Sequence, residues 1–519
     1  MANRISVLLP ITEASESALR ATLESLAAQD YPHFEVRAVV ASKALPHLDS
    51  VLKELRDNPR IHCLGMAEPS GLTSALNNGL RDADGDFVGV LRPGDRLERS
   101  ALGVMNHFLS LGSSDVDFVY TDESIWSDAA QRSVALYKPD WSPERLRSQH
   151  YTGQFAVARR SIVAEAGGFR ERAAGADWYD LALRVTERGR RVVHVPQTLC
   201  SSIAVRDDEE AGQRAIQDHC DRVGIAATVS PVANSSYRLH RAIDGHPLVS
   251  IVIPTGGASR RVWGTERVLV VEAVRSVLQS STYQNIEVVI VADTTTPPGV
   301  IASLVDLLGQ RLTVIYFDGP FNFSKKCNLG AAASRGEYLV LLNDDVEIIS
   351  PDWIETMLGI AQGPDVGLVG AKLLFSDGTL QHAGQFNGDS RPQHIFFHYP
   401  ADLPGPGCML QVDRECSGVT AACAMIRTSR WDEVGGLTQM LPNNFNDVDL
   451  SLKLRHRGYR NVWTPHAQLF HFESLTRDGA VSAEEYRFIQ TRWDEQLRVD
   501  PYGNPNLDPT RSDWVPRSS

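Results

Sequence analysis

The residues best suited to chemistry lie in the second half of the chain. Asn343-Asp344-Asp345 ends the apolar run YLVLL, Asp293 ends EVVIVAD, Asp447 and Asp449 sit in NFNDVDLSLKLRHRG, and His471 lies in LFHFES. Paired acidic residues at one turn can hold Mg²⁺ or Mn²⁺, which in turn bridges phosphate oxygens. A single carboxylate at a strand tip can accept hydrogen bonds from a base or ribose. Each has a plainer reading. Asp is common at strand-to-loop junctions for turn reasons, capping explains one acid before a helix, and a lone His is more often structural than a ligand. A double Asp after a fully apolar strand favours function, and two acids plus Asn446 exceed what a cap needs.

The elements that must position these groups occur twice. Residues 85–97, GDFVGVLRPGDRL, match 336–348, GEYLVLLNDDVEI; ISVLLP (5–10) matches VSIVIP (249–254); RRSIVAEAGGF (159–169) matches RTSRWDEVGGL (427–437). β-branched runs alternating with amphipathic helical stretches signal βαβ units and a mostly parallel sheet. A period this long means duplicated domains rather than a solenoid. The expected division is 1–243, 244–475, and a C-terminal tail 476–519 holding one helix, AEEYRFIQTRWDEQL, and the irregular DPYGNPNLDP. Ligands of open α/β sheets bind outside the carboxyl ends of the strands. Asp293, Asn343-Asp344-Asp345 and Pro254-Thr255-Gly256 all fall at such ends.

The 519 residues suit two or three domains. A formal net charge of −13 argues against a nucleic-acid partner. No apolar run approaches the roughly 18 residues needed to span a bilayer, and Met1-Ala2-Asn3-Arg4 leads straight into a strand with no signal-peptide pattern. Seven cysteines without a CxxC pair read as reduced thiols of a cytoplasmic protein; the spacing of Cys408, Cys416 and Cys423 is poor for zinc.

Taken in order, VSIVIP, the strand ending in Asp293, NFSKKCNLGAA, YLVLLNDDVEI, GVTAACAMIRTSRWDEVGGL, NFNDVDLSLKLRHRGY and LFHFES resemble the inverting family 2 glycosyltransferases of GT-A fold. The similarity is closest to bacterial tandem-domain enzymes of O-antigen, capsule and rhamnan assembly. It covers essentially the whole chain, including YKPDWSPERLRSQ and DPYGNPNL. The resemblance implies two tandem GT-A (Rossmann-like, α/β) domains with a short helical tail. It implies a nucleotide-sugar donor, UDP- or dTDP-sugars first, with Mn²⁺ or Mg²⁺, and a glycan, lipid-linked glycan or protein hydroxyl as acceptor. Peripheral association with the inner face of the membrane is compatible with it. By resemblance Asn343, Asp344 and Asp345 stand at the DXD motif with its first Asp replaced by Asn343, so that Asp345 is the direct metal ligand. His471 stands at a second metal ligand. Asp447 stands at the catalytic base, with Asn446 in place of the family's preceding Glu. Pro254, Thr255, Asp293 and Asn328 fall where the family contacts the nucleotide.

The first unit fails this template. Asp293 corresponds to Ala41, Asp345 to Gly94, Asp447 to Trp178, and His471 to Ser201 or Ser202. It reads as a degenerate domain, although Asp95, Asp122, Glu123 and Asp177 remain as material for a second site. Two other readings compete: a glycan-binding scaffold without turnover, and a nucleotidyltransferase using TGGASRR as a phosphate loop.

Overall fold

The apolar runs that open each half of the sequence become adjacent parallel strands, in one repeated order. The computed structural model describes residues 2–12, 14–41, 48, 50, 51, 53, 58–66, 71–110, 115–127, 132–189, 191–202, 207–472 and 481–517. They form two units, Met1–Leu239 with Asn504–Asn506, and His240–Gly503 with Leu507–Ser519. The division thus falls four residues before the expected 243, and three residues of the tail belong to the first unit.

The first eleven strands are β1 Ile5–Ile11, β2 Phe34–Ala41, β3 Ile61–Met66, β4 Phe87–Val90, β5 Arg96–Leu97, β6 Val116–Ser127, β7 Arg132–Leu136, β8 Ala156–Arg159, β9 Arg191–Ser202, β10 Ala227–Pro231 and β11 Tyr237–Arg241. The large sheet of the first unit runs β3-β2-β1-β4-β8-β6-β9-β5, with β7 on β6. The remaining strands are β12 Val249–Thr255, β13 Ser259–Val262, β14 Thr265–Val268, β15 Ile286–Asp293, β16 Leu312–Phe317, β17 Tyr338–Leu342, β18 Val346–Ile348, β19 Val366–Leu374, β20 Leu380–His382, β21 Gln385–Gly388, β22 Arg391–His394, β23 Arg414–Glu415, β24 Cys423–Arg427 and β25 Arg460–His471. The second sheet runs β16-β15-β12-β17-β24-β19-β25-β18. That is the first sheet's order strand for strand. In both, the strands are mixed: β12 is parallel to β15 and β17, whereas β24 is antiparallel to β17 and β19.

Each central strand is buried on both faces, which is why it reads as an unbroken apolar run. All seven residues of β12 are buried. Val249, Ile251 and Ile253 share a core with Val270 and Val274 of helix Leu269–Ser280, and with Met357 of helix Trp353–Ala361. At the amino ends of the strands the repeat extends to single atoms. Ser250 Oγ donates to Glu287 Oε1 at 2.6 Å and accepts from Gly336 N at 2.8 Å. Ser6 Oγ donates to Glu35 Oε1 at 2.6 Å and accepts from Gly85 N at 2.9 Å. A Cβ on Gly336 or Gly85 would lie 2.6 Å from the serine oxygen, so glycine alone fits this close approach.

The helix expected in the tail is Ala483–Arg498, capped by Ser482. It packs Ile489, Trp493 and Leu497 against Leu441, Val448 and Leu452. Glu473 and Ser474 of LFHFES, and the expected boundary at 475, lie outside the described residues. No helix among the described residues is long and apolar enough to cross a membrane.

Candidate active site

β17 ends at Leu342 and delivers Asn343, Asp344 and Asp345 to one turn. β18 then pairs with the end of β25, Val346 opposite His471, and so sets His471 beside that turn. His471 and Asp345 are each 5% exposed. Gln381 fixes the imidazole. Its Nε2 donates to the His471 carbonyl at 3.2 Å, which turns its Oε1 to His471 Nδ1 at 2.6 Å. Nδ1 therefore carries the proton, as assigned from this network. Nε2 accepts from Asn343 Nδ2 at 2.9 Å and lies 3.1 Å from Asp345 Oδ1. Asn343 Oδ1, buried and without a hydrogen-bond partner, is a third oxygen at the same turn. A carboxylate, an imidazole oriented from behind and an amide oxygen suit Mn²⁺ or Mg²⁺. Among the described residues no cluster of three or more His, Cys, Asp or Glu surrounds a single point. Asp344 faces the other way, accepting from Thr255 Oγ1 at 2.6 Å. Burial, then the neighbouring Asp345 charge, pushes its carboxyl above the usual carboxylate range.

The opposite wall is the start of helix Asn446–His456. Phe445, immediately before it, adopts φ 59°, a left-handed conformation that costs a non-glycine residue about 1–2 kcal/mol. The turn it makes sets Asp447 on the wall of a polar cavity of about 180 Å³ that Asn343, Gln381, Gln385, His394 and His471 also line. Asp447 Oδ1 accepts from Val448 N at 2.8 Å and Oδ2 from Gln385 Nε2 at 3.2 Å. Asp449 is excluded from the chemistry by its own bonds. It is fully buried, accepts from Thr438 Oγ1 at 2.6 Å and Trp493 Nε1 at 2.8 Å, and thereby ties this helix to Ala483–Arg498.

At the ends of β12 and β15, where Pro254 pairs in register with Val291, Thr255 and Asp293 are joined by a residue the sequence did not single out. Lys326, 1% exposed, donates to Thr255 O at 2.9 Å and pairs with Asp293 Oδ1 at 2.8 Å. Asn328, expected as a nucleotide contact, bonds to the chain itself. Its Nδ2 donates to Leu437 O at 2.8 Å and its Oδ1 accepts from Leu437 N at 2.9 Å. Asn77 makes the same two bonds to Phe169 in the first unit, at 2.8 and 3.0 Å. The same clamp thus occurs in both units. Gln381, Gln385 and His394 were also missed, because residues 375–412 carry neither a clear period nor a recognisable motif.

Register resolves the first unit. β5 pairs with β9 through Leu97 and Cys200, as Ile348 pairs with Leu469, so Ser202 is the counterpart of His471. Trp178, in place of Asp447, is 4% exposed and packs against Phe118 at 6.3 Å. The remaining acids satisfy one another's surroundings. Asp122, fully buried, accepts from the Lys138 peptide at 2.8 Å, from His194 Nε2 at 2.8 Å and from Asn504 Nδ2 at 2.9 and 3.1 Å. Glu123 pairs with the buried Lys138 at 3.4 Å. Asp177 accepts from Thr73 Oγ1 and from Gly175 N.

Comparison with known proteins follows these boundaries. The chain is 34% identical over 543 residues to the uncharacterized protein y4gI of Sinorhizobium fredii, covering 98% of this chain and 58% of that protein. It is 33% identical over 526 residues to the O-antigen biosynthesis protein RfbC of Myxococcus xanthus, covering 98% and 40%. The chain thus spans about half the length of these curated relatives. Among solved structures, S. aureus TarS 1-349 in complex with UDP aligns at 19% identity and a TM-score of 0.35, over 42% of this chain and 65% of that one. Residues 6–166 and 250–434, each starting in the first strand of a unit, match the family description "Glycosyl transferase family 2", and the chain belongs to that family.

Proposed function

We propose that the second unit is a metal-dependent, inverting glycosyltransferase that moves a sugar from a nucleotide-sugar donor to a hydroxyl acceptor. The observation that carries this reading is the shared cavity, in which Asp447 from one element lies across from Asn343 and His471 from two others. Asp447 takes the proton of the acceptor hydroxyl as its oxygen attacks the anomeric carbon. The bond from that carbon to the diphosphate oxygen breaks on the opposite face, and the nucleoside diphosphate departs. One displacement needs one base and inverts the centre, unlike the two-carboxylate scheme of glycoside hydrolysis. Asp345, His471 and Asn343 would hold Mn²⁺ or Mg²⁺, which neutralises charge developing on the diphosphate. Lys326 fixes Asp293, and Thr255 fixes Asp344, so the donor's nucleoside meets preset groups. The similarity to an O-antigen biosynthesis protein supports a role in surface polysaccharide assembly, with a glycan or lipid-linked glycan as acceptor.

The test is a panel of UDP-glucose, UDP-galactose, UDP-N-acetylglucosamine, dTDP-rhamnose and GDP-mannose, scored for nucleoside diphosphate release with Mn²⁺ and with EDTA. Metal-dependent release that Asp447→Asn abolishes is expected. Full activity in EDTA after confirmed metal removal would sink the metal role, and full activity of Asp447→Asn would sink the base.

A further inference from the structure

We infer that Gln385 is a positioning residue for Asp447, and that Gly418 exists to let it reach. This rests on the reading of Asp447 as the base. Asp447 occupies the first turn of its helix, where Val448 N holds Oδ1. Without a second hold the carboxylate could rotate about its Cβ–Cγ bond. Gln385 Nε2 supplies that hold from a separate element, at 3.2 Å on Oδ2. Gln385 is 5% exposed and opens β21. Its backbone is anchored twice: its N–H donates to Gly418 O at 2.8 Å, and its carbonyl accepts from Ser417 N at 3.2 Å.

The amide is also confined from behind. A Cβ on residue 418 would lie 2.5 Å from Gln385 Oε1, and Gly418 has no positive φ that would otherwise require glycine. Glycine there leaves space for the Gln385 amide, and for Ser451, whose Oγ and Cβ would lie 3.0 and 3.1 Å from that Cβ. Gln385 Oε1 is buried and accepts no hydrogen bond from the protein. A buried acceptor without a partner costs about 1–3 kcal/mol, which a residue chosen for stability alone would avoid. The amide orientation is instead dictated by Nε2, the only end that can donate to a carboxylate. Gln385 therefore sets the plane of the Asp447 carboxylate and leaves the remaining Oδ2 lone pair for the incoming hydroxyl.

The test uses the full chain and the panel sugar with the greatest Mn²⁺-dependent release. Gln385→Leu is expected to lower kcat about 10²-fold, the scale of a misplaced catalytic group, with the donor KM within twofold of the parent. Gln385→Glu keeps the shape but places a like charge beside the base. It should move the acidic limb of the pH profile of kcat/KM to higher pH, a readout that a structural role alone would leave in place. Gly418→Ala should reproduce the kcat loss by displacing the amide, which keeps the inference testable should the leucine variant fail to fold. An unmoved acidic limb in Gln385→Glu, with Asp447→Asn inactive, overturns the positioning role and spares the base. An active Asp447→Asn overturns both, as does a parent chain that consumes no sugar of the panel.

Discussion

The two ends of the strands have had different histories within this one chain. At the amino ends, Ser6, Glu35 and Gly85 repeat Ser250, Glu287 and Gly336 bond for bond. At the carboxyl ends almost nothing repeats. Asp345 and His471 face one another in the second unit, where the first has Gly94 and Ser202; Asp447 lines a cavity where Trp178 fills a core. The amino ends hold the sheet together, so both copies need them. In the proposed function the carboxyl ends of the second unit carry the chemistry, whereas in the first unit Asp122, Glu123 and Asp177 are held by internal partners.

The comparison breaks most easily at the carboxyl ends. Asp447→Asn should lower turnover by about 10²–10⁴, the usual worth of a positioned base, while donor affinity measured by calorimetry changes little. Asp345→Ala should lose both turnover and Mn²⁺-dependent donor binding. In the first unit Asp95→Asn should leave turnover within a few-fold of the parent. If it silences the chain while Asp345→Ala does not, the active and closed units have been exchanged.

At the amino ends the two units should respond alike. Ser250→Ala and Ser6→Ala each remove one of the bonds to a buried glutamate oxygen and leave a glycine N–H without its partner, costing about 1–3 kcal/mol, read by hydrogen exchange in β12 and β1 respectively. A large effect in only one would mean the repeat is not equivalent in energy. Asn328→Ala and Asn77→Ala should each cost about 1 kcal/mol for the lost peptide clamp. Donor affinity should fall no more than the stability change explains; a selective loss of donor binding in Asn328→Ala would restore it to the nucleotide site.

The smallest effect is a difference in pH response. Burial alone would lower the His194 pKa, but hydrogen bonds to Asp122 and Asp140 outweigh it and hold the imidazolium above its usual range. Its contribution is full below about 6.5 and fades as pH rises through the higher folded value. Glu35 and Glu287 are held below their usual value despite burial, by Ser6 and Ser250 first. Their contribution is present above about 4.5 and fades as pH falls. Rising pH should therefore loosen the first unit through His194, and acid should loosen both, as hydrogen exchange in β1 and β12 would report.

Much of this was legible in the residues. Apolar runs ending in Asp293 and Asn343-Asp344-Asp345 named both the strands and their functional ends, because a doubly buried strand leaves no ambiguity about where its polar tip begins. Asp447 and His471 were placed by motif order. What escaped was the support around them. Gln381 and Gln385 act through bonds made across the fold, and a glutamine in an irregular stretch carries no sign of its partner. Lys326, within NFSKKCNLG, was not singled out, yet it is buried against Thr255 and Asp293. The clamp that Asn328 shares with Asn77 was equally hidden, since both bonds reach residues about a hundred positions away.

Asn504 reaches Asp122 across 382 positions of sequence. At synthesis rates of about 5–20 residues per second, that separation corresponds to about 20–80 s. A nascent first unit would spend that interval with Asp122 held by His194 and the Lys138 peptide, before Asn504 arrives. Emergence from the ribosome and completion of the first unit are therefore separate events, and a truncation ending at Gly503 would leave that unit permanently at its penultimate stage.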